Sequence, residues 1–146
     1  MPCIFCEIIA GRADASRVYE DDEFLAFMDI YPWRPGHLLI IPKEHQQHVD
    51  GLSTERSHAL FALGTKLASA VRRSDLGCDD LHFILNDGSA ANQSVPHVHL
   101  HIVPRWRGDL WQMLVELAKR PVIALIKPAK RDHLDRQAAQ IREAIS

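Results

Sequence analysis

Residues 97–103, His-Val-His-Leu-His-Ile-Val, alternate strictly between imidazole and aliphatic side chains. Successive side chains of a strand point to opposite sides, and each residue rises about 3.3 Å. The period predicts a β-strand with His97, His99 and His101 on one face and Val98, Leu100 and Ile102 on the other. A one-residue slip would bury the imidazoles and expose the aliphatics, so the segment fixes both a core face and a cleft face. Imidazoles about 7 Å apart along a strand suit a row of groups cooperating around one substrate phosphate. Imidazoles at this spacing are also frequent zinc ligands, so a catalytic metal site is a competing reading, and an unemployed polar face is a third.

The rest of the chain supplies the frame. Its 146 residues, 47% hydrophobic and 25% charged, lie at globular averages and exclude disordered or collagenous chains. That length buries roughly 70% of the unfolded surface, enough for one core. A net charge of −2, from 17 basic and 19 acidic residues, advertises neither a nucleic-acid nor a membrane partner. No apolar run approaches the roughly 20 residues needed to span a bilayer. The start, Met-Pro-Cys-Ile-Phe-Cys-Glu, lacks the basic and apolar regions of a signal peptide, so a cytoplasmic location is expected.

Short apolar runs at Phe24–Met28, His37–Ile41 and Leu81–Leu85 read as further strands. From Ser53 to Arg73, Leu60, Leu63, Leu67 and Val71 recur at helical spacing, with Ser53 or Thr54 placed to cap. Leucines 110, 114 and 117 suggest a helix over 108–118, and Leu134, Ala138, Ile141 and Ile145 a terminal helix over 132–145. Consecutive strands with one long intervening helix favour an α+β fold with an antiparallel sheet.

The loop Asn86-Asp87-Gly88-Ser89-Ala90-Ala91-Asn92-Gln93-Ser94-Val95-Pro96 places small residues and neutral donors directly before the histidines. Such loops turn backbone N–H groups toward anionic oxygens, although an ordinary polar turn has the same composition. After the strand, Arg105 and Arg107 add cations near the same edge. Three cysteines without a secretion signal argue against a disulfide framework. Cys3 and Cys6 form a C-x-x-C, which leaves metal binding, redox chemistry or simple burial, while Cys78 reads as an inert loop or edge residue.

With these segments in order, the chain resembles the histidine triad (HIT) family of nucleotide hydrolases and transferases, in its bacterial form with an N-terminal C-x-x-C. His97–Val103 matches the triad motif, and Ile4-Phe5, Ala26–Ile30, Pro35–Lys43 and Asn86…Gly88…Gln93-Ser94-Val95 fall where such proteins carry similar segments. The resemblance spans about residues 2–109 and implies a HIT domain over 1–109, with 110–146 as a C-terminal helical extension packed on it.

The resemblance further implies cleavage at the α-phosphate of a purine nucleotide. The substrate would be a dinucleoside polyphosphate, a nucleoside phosphoramidate or an acyl-adenylate. His99 would be the nucleophile, forming a covalent nucleotidyl-histidine with no catalytic cofactor. His101, His97, His37 and Ser94 would serve the chemistry. Asp29 would take the ribose, Ile4, Phe5, Phe27 and Ile30 the base, and Asn86, Gln93 and Ser94 the phosphate region. A structural zinc on Cys3, Cys6, His45 and His97 would be coordinatively full. A redox C-x-x-C is disfavoured by the lack of a βαβ context. A two-fold homodimer is implied as well, in keeping with the extra apolar positions Ala59, Phe61, Ala62, Ala68 and Ala70 on the long helix. The alternatives are a zinc-dependent hydrolase using the strand histidines and a nucleotide-binding protein without turnover. The chain departs from the family at Asn92, where Gly is usual before the Gln. Asn tolerates the left-handed backbone better than other side chains.

Overall fold

The computed structural model describes residues 2–146. Five antiparallel strands, β1 (Arg17–Glu20), β2 (Phe24–Met28), β3 (Leu38–Pro42), β4 (Asp80–Leu85) and β5 (Leu100–Arg105), lie in the order β1-β2-β3-β5-β4. The first three form a meander. The long helix α2 (Thr54–Arg73) then carries the chain to the far edge, where β4 turns back so that β5 pairs beside β3.

Strands β2 and β3 are buried at every position, which is why they read as unbroken apolar runs rather than alternating ones. Phe24, Ala26, Met28, Leu38 and Ile40 point to a core shared with Leu60, Leu63, Leu67 and Val71 of α2. The C-terminal helix α4 (Arg131–Glu143) closes that core with Leu134, Ala138 and Ile141. Ser53 caps α2 by accepting from Arg56 N–H at 3.2 Å, as its position before the apolar stripe predicts.

Leu25, Phe27, Leu39 and Ile41 point to the opposite face, where α1 (Ile4–Ile9) covers them with Phe5 and Ile8. A helix of six residues covers only part of a sheet face. The remainder opens into the cleft described below.

Several boundaries differ from the sequence reading. The strand predicted to start at His97 joins the ladder only at Leu100. Continued outward, the β3–β5 register brings Val98 opposite Pro42, which has no N–H to donate. Val98 N–H turns instead to the Gln46 carbonyl, at 2.7 Å. Strand β1 and helix α1 are too short for their periodicity to register, and β1 is interrupted by a register shift between Arg17 and Tyr19. Helix α3 (Leu110–Ala118) buries only Met113 and is followed by 3₁₀ turns over Arg120–Leu125. Of the extra apolar positions on α2, Ala68 and Ala70 are consumed inside the chain, whereas Phe61 stays 49% exposed. No helix among the described residues is long and apolar enough to cross a membrane.

Candidate active site

The β2–β3 connection builds the back wall of the cleft. Gly36 holds φ +80°, and a Cβ there would meet Leu76 Cδ1 at 2.6 Å, so the turn into His37 needs glycine. Asp29 N–H donates to the His37 carbonyl at 3.0 Å and closes the hairpin. His37 is fully buried, and its Nδ1 accepts from Trp33 N–H at 3.0 Å. A backbone N–H can only donate, so the neutral ring carries its proton on Nε2. That proton is directed to His101 Nδ1, at 2.9 Å. His101 therefore carries its own proton on Nε2.

The same reasoning fixes the other two rings of the strand. His99 Nδ1 lies 2.7 Å from the His97 carbonyl, an acceptor, so Nδ1 is protonated and Nε2 keeps its lone pair. His97 Nε2 donates to the Pro42 carbonyl at 2.8 Å, which leaves its lone pair on Nδ1. Burial drives His37 to about 3 and lowers His101 and His99, reinforced at His37 by the Arg120 charge. All three are neutral imidazoles near pH 7. Edge contacts with Phe5, at 5.3 Å, and His101, at 4.8 Å, hold the His99 ring.

These groups border a cavity of about 1060 Å³, at the top of the range for small-molecule sites. Of the residues expected to act, Ile4, Phe5, Phe27, Asp29, Ile30, Asn86, Gln93, Ser94, His99 and His101 line it. His37 stands behind His101, and His97 turns away to the cysteines. Tyr31, Trp33, Leu117, Arg120 and Ile123 also line the cavity and were not anticipated. Trp33 stacks on His101 with ring centroids 5.6 Å apart and 15° between planes. Nothing in the local sequence pattern marks them, because they reach the site through tertiary packing.

The loop before the triad keeps its shape through its own groups. Gln93 Oε1 accepts from Gly88 N–H at 2.8 Å, and Gln93 Nε2 donates to the Gln47 carbonyl at 2.8 Å. Gln93 thus ties the loop to the segment after β3 before any ligand arrives. Asn92 adopts φ 63° and ψ 30°, the only non-glycine residue at positive φ among those described. The expected cation contribution from Arg105 is absorbed structurally. Its guanidinium grips buried Asp109 at 2.6 Å, and Asp109, also held by Arg34 at 3.0 Å, is pulled to about 2 chiefly by Arg105.

A second constellation lies on the other side of His97. Cys3 Sγ, Cys6 Sγ, His45 Nδ1 and His97 Nδ1 all fall within 4.8 Å of one another. His97 Nδ1 stands 3.5 Å from Cys3 Sγ and 3.3 Å from His45 Nδ1. The donor set, with His97 Nε2 anchored on a carbonyl, fits a tetrahedral ion of zinc type. Burial and the adjacent Cys3 raise the Cys6 thiol. Asp29, His37 and His101 form the only other metal-capable group among the described residues, and there His37 Nε2 and His101 Nδ1 are already paired with each other while His37 Nδ1 accepts from Trp33 N–H. The three strand histidines do not converge on a common point: each turns to a different partner.

The sequence model for the HIT domain matches residues 10–108. An uncharacterized HIT-like protein of Mycobacterium tuberculosis is 46% identical over 109 residues, 75% of each chain. An adenosine 5′-monophosphoramidase of Schizosaccharomyces pombe is 38% identical over 105 residues, 72% of this chain and 75% of that one. An adenylylsulfatase of Arabidopsis thaliana is 34% identical over 130 residues, 88% of this chain and 64% of that one. The crystal structure of a Zn-bound histidine triad family protein from Mycobacterium smegmatis superposes with a TM-score of 0.82 at 36% identity, covering 99% of this chain and 94% of that one.

Proposed function

The chain belongs to the HIT domain family, and from that premise we propose that it is a nucleotide hydrolase or nucleotidyl transferase working through a covalent intermediate on His99. One observation carries the reading: the His99 Nδ1 proton is committed to the His97 carbonyl, and the ring borders the cavity. An imidazole held in that tautomer presents a nucleophilic Nε2 without prior loss of a proton.

Nε2 attacks the α-phosphorus of a purine nucleotide. A P–N bond forms, the bond from phosphorus to the leaving group breaks, and the leaving group departs with the bonding electron pair, an amine leaving group taking up a proton from solvent as it goes. Water then adds to phosphorus, the P–N bond breaks, the water's proton passes to solvent, and the neutral ring is restored. His101, with its Nε2 proton directed away from His37, donates to a phosphoryl oxygen as negative charge builds. Asp29 receives the ribose hydroxyls on the oxygen not engaged with Tyr31 N–H. Ile4, Phe5, Phe27 and Ile30 hold the base, and Ser94 and Asn86 meet the phosphate.

The similarity to an adenosine 5′-monophosphoramidase and an adenylylsulfatase supports AMP phosphoramidate and adenylyl sulfate as substrates to assay. Release of AMP from either, with a radiolabelled protein adduct stable to alkali and labile to acid, is the expected result. Cleavage without an adduct, or no cleavage of either nucleotide, overturns the proposal.

The Cys3, Cys6, His45 and His97 group is assigned to a structural zinc, which ties the N-terminal segment and its base-pocket residues to the triad. The fitting donor set and the Zn-bound relative support this assignment. A homodimer is proposed through the β4 edge, where Phe83 is 38% exposed and packs over Gly64 of α2, near exposed Phe61. Sedimentation at micromolar concentration as a 16.5 kDa monomer would reject it.

A further inference from the structure

Arg120 lies beyond the residues matched by the family model, yet it lines the cavity with Asp29, His99 and His101. Its guanidinium stands over the Trp33 ring, 5.0 Å from the centroid, and Trp33 in turn stacks on His101. Arg120 is therefore one side chain further along the same wall than the triad.

Its hydrogen bonding is incomplete. Nη2 donates to the Tyr31 carbonyl at 2.7 Å, while the Nε–H is closed to solvent and has no acceptor. The indole N–H of Trp33 is orphaned in the same way. Among the described residues five arginines are partly buried: Arg17, Arg34, Arg56, Arg105 and Arg120. The first four are each ion-paired with a carboxylate within 4.0 Å, and Arg120 is not. Asp29 and Glu116 act on it only at longer range. A partly desolvated guanidinium without a counter-ion is unfavourable unless a ligand supplies the charge, and its planar fork matches phosphate, sulfate and carboxylate.

We propose that Arg120 is a specificity-determining residue that binds a second anionic group of the substrate, beyond the phosphorus attacked by His99. The substrate class is then nucleotides whose leaving group is an oxyanion, such as sulfate, phosphate or carboxylate, in preference to those releasing an amine. This deepens the function proposed above and rests on it.

Equilibrium binding of AMP and ADP to the wild type, Arg120→Gln and Arg120→Lys tests the assignment without requiring turnover. The wild type should prefer ADP. Arg120→Gln should lose roughly tenfold or more of that preference, the range of a charge-assisted hydrogen bond, and Arg120→Lys should keep part of it. If Arg120→Gln does not fold, Arg120→Met, which keeps the apolar stem over Trp33, serves in its place. In parallel, the kcat/KM ratio of adenylyl sulfate to AMP phosphoramidate should fall by at least tenfold in Arg120→Gln. An equal loss of AMP and ADP affinity, or an unchanged preference, overturns the proposal. Absence of cleavage by the wild type would overturn the hydrolase reading alone, because the AMP-to-ADP comparison still decides the role of Arg120.

Discussion

His37 Nε2 stands 2.9 Å from His101 Nδ1, and the proton between them belongs to His37. Trp33 N–H occupies the other nitrogen of His37, so a backbone amide two side chains removed sets the tautomer that His101 presents to the cavity. His37→Leu removes this control and lets His101 place its proton on Nδ1. It should lower kcat by roughly tenfold or more with little change in KM, as expected of an interaction made in the transition state. His37→Gln, whose amide can donate from near the lost Nε2, should recover part of the loss. Equal kcat values for the two variants would contradict the relay.

His99→Ala removes the proposed nucleophile, and His99→Asn fills the space with an amide that cannot attack phosphorus. Both should reduce turnover by at least about a thousandfold while AMP still binds, because Asp29 and the apolar pocket are intact. Steady-state kinetics and an AMP titration separate the two effects. Turnover of His99→Ala within tenfold of wild type would reject a covalent route.

How much of this site was legible depends on whether a residue's role is written in local period. His99 and His101 declare their face through strict alternation, and α2 declares its buried stripe through Leu60, Leu63, Leu67 and Val71. Cys3 and Cys6 could be paired with His45 and His97 only through the family resemblance, since 39 residues separate Cys6 from His45. Trp33 and Arg120 carry no such mark. One lies in an irregular loop and the other in 3₁₀ turns, and only the path of the C-terminal segment past Ile30, where Ala129 N–H donates to the Ile30 carbonyl at 2.8 Å, brings them together. Sequence period also overextended the triad strand, because it cannot register that the partner opposite Val98 is a proline.

Purified protein should carry about one zinc per chain. Cys3→Ser should lose it and melt at a lower temperature, because structural zinc sites contribute apparent binding energies of roughly 10–16 kcal/mol. His97 keeps its Nε2 bond to the Pro42 carbonyl without metal, so the triad backbone should hold while α1 loosens. Metal analysis and thermal melting in the presence of chelator check this. Protein prepared without chelator that contains no zinc would contradict it.

Stability should fall on mild acidification. His37 and His101 have folded values depressed to about 3 by burial, whereas an unfolded histidine titrates near 6.5. A proton on His37 opposes the charged form of His101 most, followed by one on His99 and by the Arg120 cation, while Asp29 favours it. Above pH 6.5 neither state binds these protons and the contribution is fully present. Between 6.5 and about 3 the unfolded chain binds protons that the folded chain excludes, so stability is lost progressively. The slope approaches about 1.4 kcal/mol per pH unit for each excluded proton. Urea melts at pH 7.5, 6.0 and 5.0 should show this decline in wild type and a shallower one in His37→Gln. A flat profile over that range would show that the rings are not held neutral.

Asn92 provides the last test, because its side chain stands where the loop requires a left-handed backbone. At φ 63° and ψ 30° a Cβ crowds the following carbonyl, at a cost of about 1–2 kcal/mol that Asn offsets in part through local hydrogen bonding. Asn92→Gly should therefore be neutral or slightly stabilising, whereas Asn92→Val, branched at Cβ, should lose about 2 kcal/mol or shift the loop. A shifted loop would move Gln93 off Gly88 N–H and carry Ser94 with it, so Asn92→Val should raise KM for the nucleotide more than it lowers kcat. Denaturant melts and steady-state kinetics on the two variants read the backbone cost and its effect on the loop separately. Equal stability of Asn92→Gly and Asn92→Val would mean that the left-handed conformation does not hold the phosphate loop in place.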